Sequence, residues 1–380
     1  MTTLRVIIDQ MVATVPGGIG RYTEELTREL IATAPRGCDV EGIISKVPDE
    51  TYDETLARLP GLGGLTRLSL PRRELARAWQ HGFSTGAKGR GMIHATSLLA
   101  PLRKIDRVNS IGEQVAVTIH DVVPWTHPET LTKHGVAWHK GLAKRARRYA
   151  DAIVVPTHAV AAELREFVNF GDRVRVIGGA VSSKLVVPEN ADERASELDL
   201  PAEYILTVGT LEPRKGLAPL IAALARPGVP DLPLLIAGPD GWGDLDVARV
   251  VAEAGLPAER VRTLGFVSDS DLALLLDRAS LFIYPSLAEG FGLPVIEAMN
   301  FGTPVIHSDV PALLEVTAGA SVSVARDDPA GYPERIASAI TRVLGDTQLF
   351  ERLSVGGYDR ARAFSWRDSA EKVWQLHADL

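Results

Sequence analysis

The chain has one cysteine, Cys38, in 380 residues. A single thiol excludes an internal disulfide and a cysteine-built metal cage, and it fits a reducing compartment. No run of about 18 apolar residues is present to span a bilayer. The opening stretch, MTTLRVIIDQMV, lacks the apolar segment of a secretion signal, so the expected location is the cytoplasm. Aromatic residues make up 6% and no concentrated basic face interleaves with them, which argues against a nucleic-acid binder.

What remains is the composition of an ordinary globular protein, 46% hydrophobic and 23% charged. The length exceeds one ordinary core, so two domains are expected. Charge divides the same way. Residues 1–180 carry a net +5 and residues 181–380 a net −12, which together give the overall −7. Two modules with different surfaces are implied.

Short apolar runs rich in β-branched residues alternate with helical patterns along the whole chain. Strands are expected at 4–8, 40–45, 92–95, 115–119, 152–156 and 173–177, with helices near 21–33 and 131–150. Residues 178–200 read as a polar linker. Strands at 204–209, 234–238, 261–264, 281–284 and 305–307 follow. Such alternation means α/β modules with parallel sheets covered by helices, and ligands at the carboxyl ends of the strands. Residues 50–91 show no clear pattern.

The most informative stretch is AEGFGLPVIEAMNFGTPVI, residues 288–306. Glu289 precedes a Gly290-Phe291-Gly292-Leu293-Pro294 run, and Glu297 falls about one turn into the helix that follows. A glycine-bearing turn before a helix aims backbone N–H groups at a ligand, and the helix dipole there favours phosphate. Two carboxylates flanking it can accept hydrogen bonds from vicinal hydroxyls, Glu297 from a ribose and Glu289 from a second sugar. A plain strand–turn–helix joint is the alternative.

Four other constellations fall at strand ends. VPGGIGRY (15–22) contains Gly18 ahead of a helix; Thr23 stands where a dinucleotide fingerprint has its third glycine, leaving an anion-receiving loop or a tight turn. VTIHDVVPW (117–125) places His120 and Asp121 after a strand, where a locally bonded histidine is the bland reading. VGTLEPRKG (208–216) carries Gly209, Arg214 and Lys215; two adjacent cations suit a diphosphate, although a solvated pair would look the same. If exposed, they contribute little to folding. Asp309 reads equally as a helix cap. Two Asp-x-Asp strings, Asp244–Asp246 and Asp269–Asp271, precede helical runs and read as caps, so no metal site is assigned.

The order GGIGRY, HD, EPRKG, EGFGLPVIEAM, GTPVI resembles the family 4 glycosyltransferases of the GT-B fold, and among them the bacterial mannosyltransferases of polysaccharide and glycolipid assembly. The resemblance implies two Rossmann-like domains facing across a cleft. Their expected ranges are 1–186 for the acceptor and 187–362 for the nucleotide-sugar donor, with a terminal helix over 363–380 crossing back. It implies a retaining, metal-independent hexosyl transfer without a cofactor. The donor would be GDP-mannose, with UDP-glucose, UDP-GlcNAc or a dTDP-deoxysugar as alternatives and a nucleotide-sugar 2-epimerase as another. Glu289 would meet donor-sugar hydroxyls, Glu297 the ribose, and the backbone of Gly290, Phe291, Gly292 and Leu293 the sugar and phosphates. Arg214 and Lys215, with Gly209 in the same loop, would meet the diphosphate, and Gly18 would approach it. His120 would sit beside the reacting carbon, oriented by Asp121. The linker segment VIGGAVSS (176–183) and the stretch after Glu315 depart from the family pattern. Lys140, Lys144, Arg145, Arg147 and Arg148, beside Trp138 and Leu142, raise the expectation of peripheral contact with the inner membrane face and a glycan or lipid-linked acceptor.

Overall fold

A computed structural model describes residues 2–14, 17–83, 91–106, 109, 112–241 and 245–380. The chain forms two compact units. Met1–Gly179 joins Ser365–Leu380 in the first, and Ala180–Phe364 makes the second. These divisions fall a few residues from the 186/187 and 362/363 boundaries read from the sequence.

The first unit holds a seven-stranded sheet: β1 Thr2–Ile7, β2 Cys38–Ile44, β3 Gly64–Arg67, β4 Met92–Ala95, β5 Gln114–Thr118, β6 Ala152–Val155 and β7 Val174–Val176, in the order β3-β2-β1-β4-β5-β6-β7. Every pairing is parallel. Strands β4 and β6 are buried at every position because helices cover both faces of the sheet.

The second unit repeats the scheme with β8 Ile205–Val208, β9 Leu234–Ala237, β10 Val261–Gly265, β11 Leu281–Tyr284, β12 Val305–Ser308 and β13 Val322–Val324, in the order β10-β9-β8-β11-β12-β13. Both sheets therefore reverse their winding once, between β1 and β4 and between β8 and β11. At such a switch point neighbouring loops run to opposite faces and leave a crevice beyond the carboxyl ends of the strands.

Several elements differ from the sequence reading. The first helix spans Gly17–Ala32 and so begins before Arg21, which places Gly18 and Gly20 in its opening turns and not in a loop. Val15, Pro16 and Asp244 lie outside the described residues. The segment read as linker contains the helix Ala191–Glu197. Its Arg194 grips Asp271 through Nε at 2.6 Å and Nη2 at 3.0 Å. Asp271 is therefore an ion-pair partner, and the cap of the helix Asp269–Arg278 is Ser268. Asp246 does cap its helix, accepting from Arg249 N–H at 3.0 Å. Asp309 holds Arg326, by its N–H and guanidinium, and does not cap the helix Pro311–Thr317. Residues 50–91 contain β3 and the helices Asp49–Ala57 and Arg72–Gln80.

The helix Lys133–Tyr149 buries Leu142, Ala143 and Ala146, and Trp138 packs against the same core. Arg145 donates to the Leu102 carbonyl at 2.5 Å and lies over the Tyr149 ring. Only the cationic part of the expected membrane face, Lys144, Arg147 and Arg148, is exposed. The terminal helix Trp366–Asp379, capped by Ser365, packs on the helix Gly17–Ala32 within the first unit. There Trp374 Nε1 donates to the Leu30 carbonyl at 3.2 Å.

Candidate active site

Two loops of the second unit meet at its switch point. The loop after β8 passes through Pro213–Lys215 to Gly216, which has φ +69° and starts the helix Leu217–Leu224. A Cβ on Gly216 would lie 2.1 Å from the Pro285 carbonyl oxygen, so only glycine lets the two loops come this close. The loop after β11 ends at Gly292, with φ +90°, and turns into the helix Leu293–Asn300.

Glu289 is the centre of what these loops assemble. Its Oε1 accepts from Lys215 Nζ at 2.6 Å, Ser286 Oγ at 2.6 Å, Tyr284 OH at 2.9 Å and Arg214 Nη1 at 3.3 Å. Its Oε2 accepts no hydrogen bond among the described residues. Arg214 also donates to the Ala288 carbonyl at 2.6 Å and to Glu212 Oε1 at 2.7 Å. Burial pushes the Glu289 carboxyl up, but the Lys215 and Arg214 charges outweigh it and hold the group at about 2. Glu289 is thus ionised throughout the neutral range. Burial, with Glu289 beside it, holds the Tyr284 hydroxyl protonated and able to donate.

The alternative reading of Arg214 and Lys215 as a solvated surface pair does not hold. Their side chains are 17% and 14% exposed, and two carboxylates, Glu212 and Glu289, balance them. The resting cluster of these four side chains therefore carries no surplus positive charge. Glu212, Tyr284 and Ser286 escaped the sequence reading. Tyr284 reads only as the end of the strand at 281–284.

Around this centre, Gly209 follows β8 and bonds through its N–H to the Ala237 carbonyl at 2.9 Å. Phe291 turns its ring inward, edge-on to Phe364 at 5.5 Å and packed with Ile296 and Val316. Glu297 is buried in the helix Leu293–Asn300, close enough for its charge to act on the Tyr284 hydroxyl.

The remaining candidates belong to the first unit. His120 follows β5, half-buried, and its Nε2 contacts the Thr96 carbonyl at 2.7 Å. Asp121 Oδ1 accepts instead from Val123 N–H at 3.0 Å, so the hydrogen bond that orients the imidazole comes from Thr96 and not from Asp121. Tyr22, in the helix Gly17–Ala32, sets its ring edge-on to His120 at 4.8 Å. The GGIGRY and HD segments are thus neighbours at the first sheet's carboxyl edge.

Comparison with known proteins divides the chain in the same two halves. Residues 16–184 match the family Glycosyltransferase Family 4, and residues 189–360 match Glycosyl transferases group 1. The chain is 31% identical to the O-antigen chain mannosyltransferase B of Escherichia coli, covering 92% of this chain and 93% of that one. It is 27% identical to an MMP alpha-(1->4)-mannosyltransferase of Mycolicibacterium hassiacum, over 94% of this chain and 93% of the relative. Among solved structures, sucrose-phosphate synthase from Thermosynechococcus elongatus superposes with a TM-score of 0.77 at 25% identity, covering 100% of this chain and 99% of that one.

Proposed function

The chain belongs to the family 4 glycosyltransferases of the GT-B fold, and on that premise we propose that it is a retaining, metal-independent mannosyltransferase using GDP-mannose. The observation that carries this reading is the split carboxylate of Glu289. Four protein donors converge on Oε1 and fix the group, while Oε2 is left to accept hydroxyls of the donor sugar. Fixing such an acceptor in advance spares its reorganisation when the sugar arrives.

The chemistry assigned to the site is a front-face displacement. The bond from the sugar's anomeric carbon to the diphosphate oxygen breaks, and a bond from that carbon to the acceptor hydroxyl forms on the same face. The hydroxyl's proton goes to the departing diphosphate oxygen. Arg214, Lys215 and backbone N–H groups at Gly290–Leu293 take the charge that develops there, and Glu297 binds the ribose. Glu289 is a poor nucleophile in this arrangement, because its Oε1 is saturated and two cations hold down its basicity.

Mannose is favoured over glucose because both full-length relatives named above are mannosyltransferases. The acceptor proposed is a glycan or a lipid-linked glycan, approached through the first unit, whose exposed Lys144, Arg147 and Arg148 suit an anionic membrane surface. Purified protein offered GDP-mannose, UDP-glucose and UDP-GlcNAc in turn, with hydrolysis and the product's anomeric configuration read by NMR, tests the donor. Turnover of a uridine donor alone, or an inverted product, refutes it.

A further inference from the structure

Behind His120 lies a chain of hydrogen bonds that the transfer just described does not use. The Thr96 carbonyl, 2.7 Å from His120 Nε2, can only accept. Nε2 therefore carries the proton, and the neutral ring keeps its bare lone pair on Nδ1. Thr96 is itself held. Its hydroxyl donates to the Ile7 carbonyl at 2.9 Å, at the end of β1, and lies 2.9 Å from Thr23 Oγ1. Thr23 and Thr96 are both fully buried. The single Thr23 hydroxyl proton is shared between the Thr96 oxygen and the Ile19 carbonyl at 2.8 Å. Because the Thr96 proton goes to Ile7, Thr23 is the donor in the link between the two hydroxyls. It occupies the place where a dinucleotide fingerprint would have glycine, and here a hydroxyl at that place joins the helix to the carboxyl end of β4. The Tyr22 ring walls one side of the imidazole, with Trp366 5.4 Å behind it.

We propose that Thr23 and Thr96 are positioning residues that hold His120 as its Nε2–H tautomer, so that it meets its ligand as a hydrogen-bond acceptor through Nδ1. What Nδ1 accepts from, a ligand hydroxyl, rests on the function proposed above. The tautomer and its dependence on Thr23 do not. Burial supports the assignment by disfavouring the charged imidazolium, and the nearby Asp121 charge opposes this only in part.

The test uses the full chain labelled with ¹⁵N-histidine, with two-bond imidazole correlations recorded at neutral pH and His120 assigned by comparison with His120→Asn. A single Nε2–H tautomer is expected in the wild type. Thr23→Val keeps the shape and removes the hydroxyl, so it should populate the second tautomer. It should also lower kcat roughly tenfold at an unchanged donor KM, as loss of an orienting partner does at other sites. Thr23→Ser should restore both. Should Thr23→Val fold poorly, Thr96→Val, which keeps the carbonyl, is expected to behave the same way. An Nδ1–H tautomer in the wild type overturns the proposal. So does an unchanged spectrum in the valine variants, or a tautomer shift with full kcat. A protein that transfers no sugar defeats the functional reading and leaves the spectrum to decide this one.

Discussion

Acidification should loosen the first unit through one buried pair, His94 on β4 and His377 on the terminal helix. Both are almost fully buried, with His377 Nε2 3.4 Å from His94 Nδ1 and His377 Nδ1 3.1 Å from Gln114 Oε1. The Gln114 oxygen accepts, so the proton on His377 sits on Nδ1, and His94 Nδ1–H donates to His377 Nε2. His94 Nε2 is left buried without a partner, and an added proton there would be a buried donor facing nothing. Burial, reinforced for His94 by the charge of a protonated His377, lowers the pair to about 3 for His94 and about 4 for His377. Unfolded histidines titrate near 6.5. The folded values lie below that, so the stability is present above pH 6.5 and is lost as pH falls towards 4. At pH 5 each unfolded imidazole gains about 2 kcal/mol from protonation that the folded one does not, roughly 4 kcal/mol for the pair. For a unit of this size that corresponds to a fall in Tm of about 10 °C. Urea melts followed by far-UV circular dichroism at pH 7.5 and pH 5 read the effect. The double variant His94→Gln/His377→Gln removes the titration, so its loss over the same interval should be smaller by most of that amount. Equal losses in wild type and variant would refute the reasoning.

Three further outcomes follow from the geometry. Lys215→Ala strips the Glu289 carboxylate of its shortest ion pair, so it should lower stability by about 1–3 kcal/mol and kcat/KM by about 10²-fold; a wild-type melting curve with full activity contradicts this. Gly216→Ala sets a Cβ against the Pro285 carbonyl at φ +69° and should cost at least about 2 kcal/mol, read by thermal melting, with donor turnover lost in step. Vesicles of anionic lipid should co-sediment the protein at low salt and release it as salt rises, and Lys144→Glu with Arg147→Glu and Arg148→Glu should abolish the sedimentation while donor hydrolysis continues. Indifference to vesicle charge would leave a soluble acceptor as the better reading.

Legibility followed local pattern. Met92–Ala95 and Leu281–Tyr284 are visible in the sequence because a strand covered on both faces is apolar without interruption. Gly64–Arg67 is not, since this edge strand pairs on one side and leaves Thr66 and Arg67 exposed. The helix Ala191–Glu197 escaped because its anchor, Asp271, lies 77 residues further on. The loop with Glu289 and Glu297 and the Arg214–Lys215 pair stand out in the sequence, because each is a contiguous motif whose residue types suit phosphate and hydroxyls. What binds them together does not. Tyr284 and Lys215 are 69 residues apart, and Glu289 and Lys215 are 74, so only the switch point of the sheet brings them into one cluster. The same distance hid the burial of Arg214 and Lys215.

The central claim, that the second unit reads nucleotide and sugar through two different carboxylates, is tested most directly by calorimetry. GDP alone and GDP-mannose are titrated into wild type, Glu289→Gln and Glu297→Gln. With Oε1 of Glu289 tied to the protein and Oε2 left for the sugar, Glu289→Gln should bind GDP about as tightly as wild type while losing the added affinity for GDP-mannose and its turnover. Glu297→Gln should weaken both ligands alike. Equal losses of free GDP binding in the two variants, or full GDP-mannose turnover by Glu289→Gln, would contradict the account.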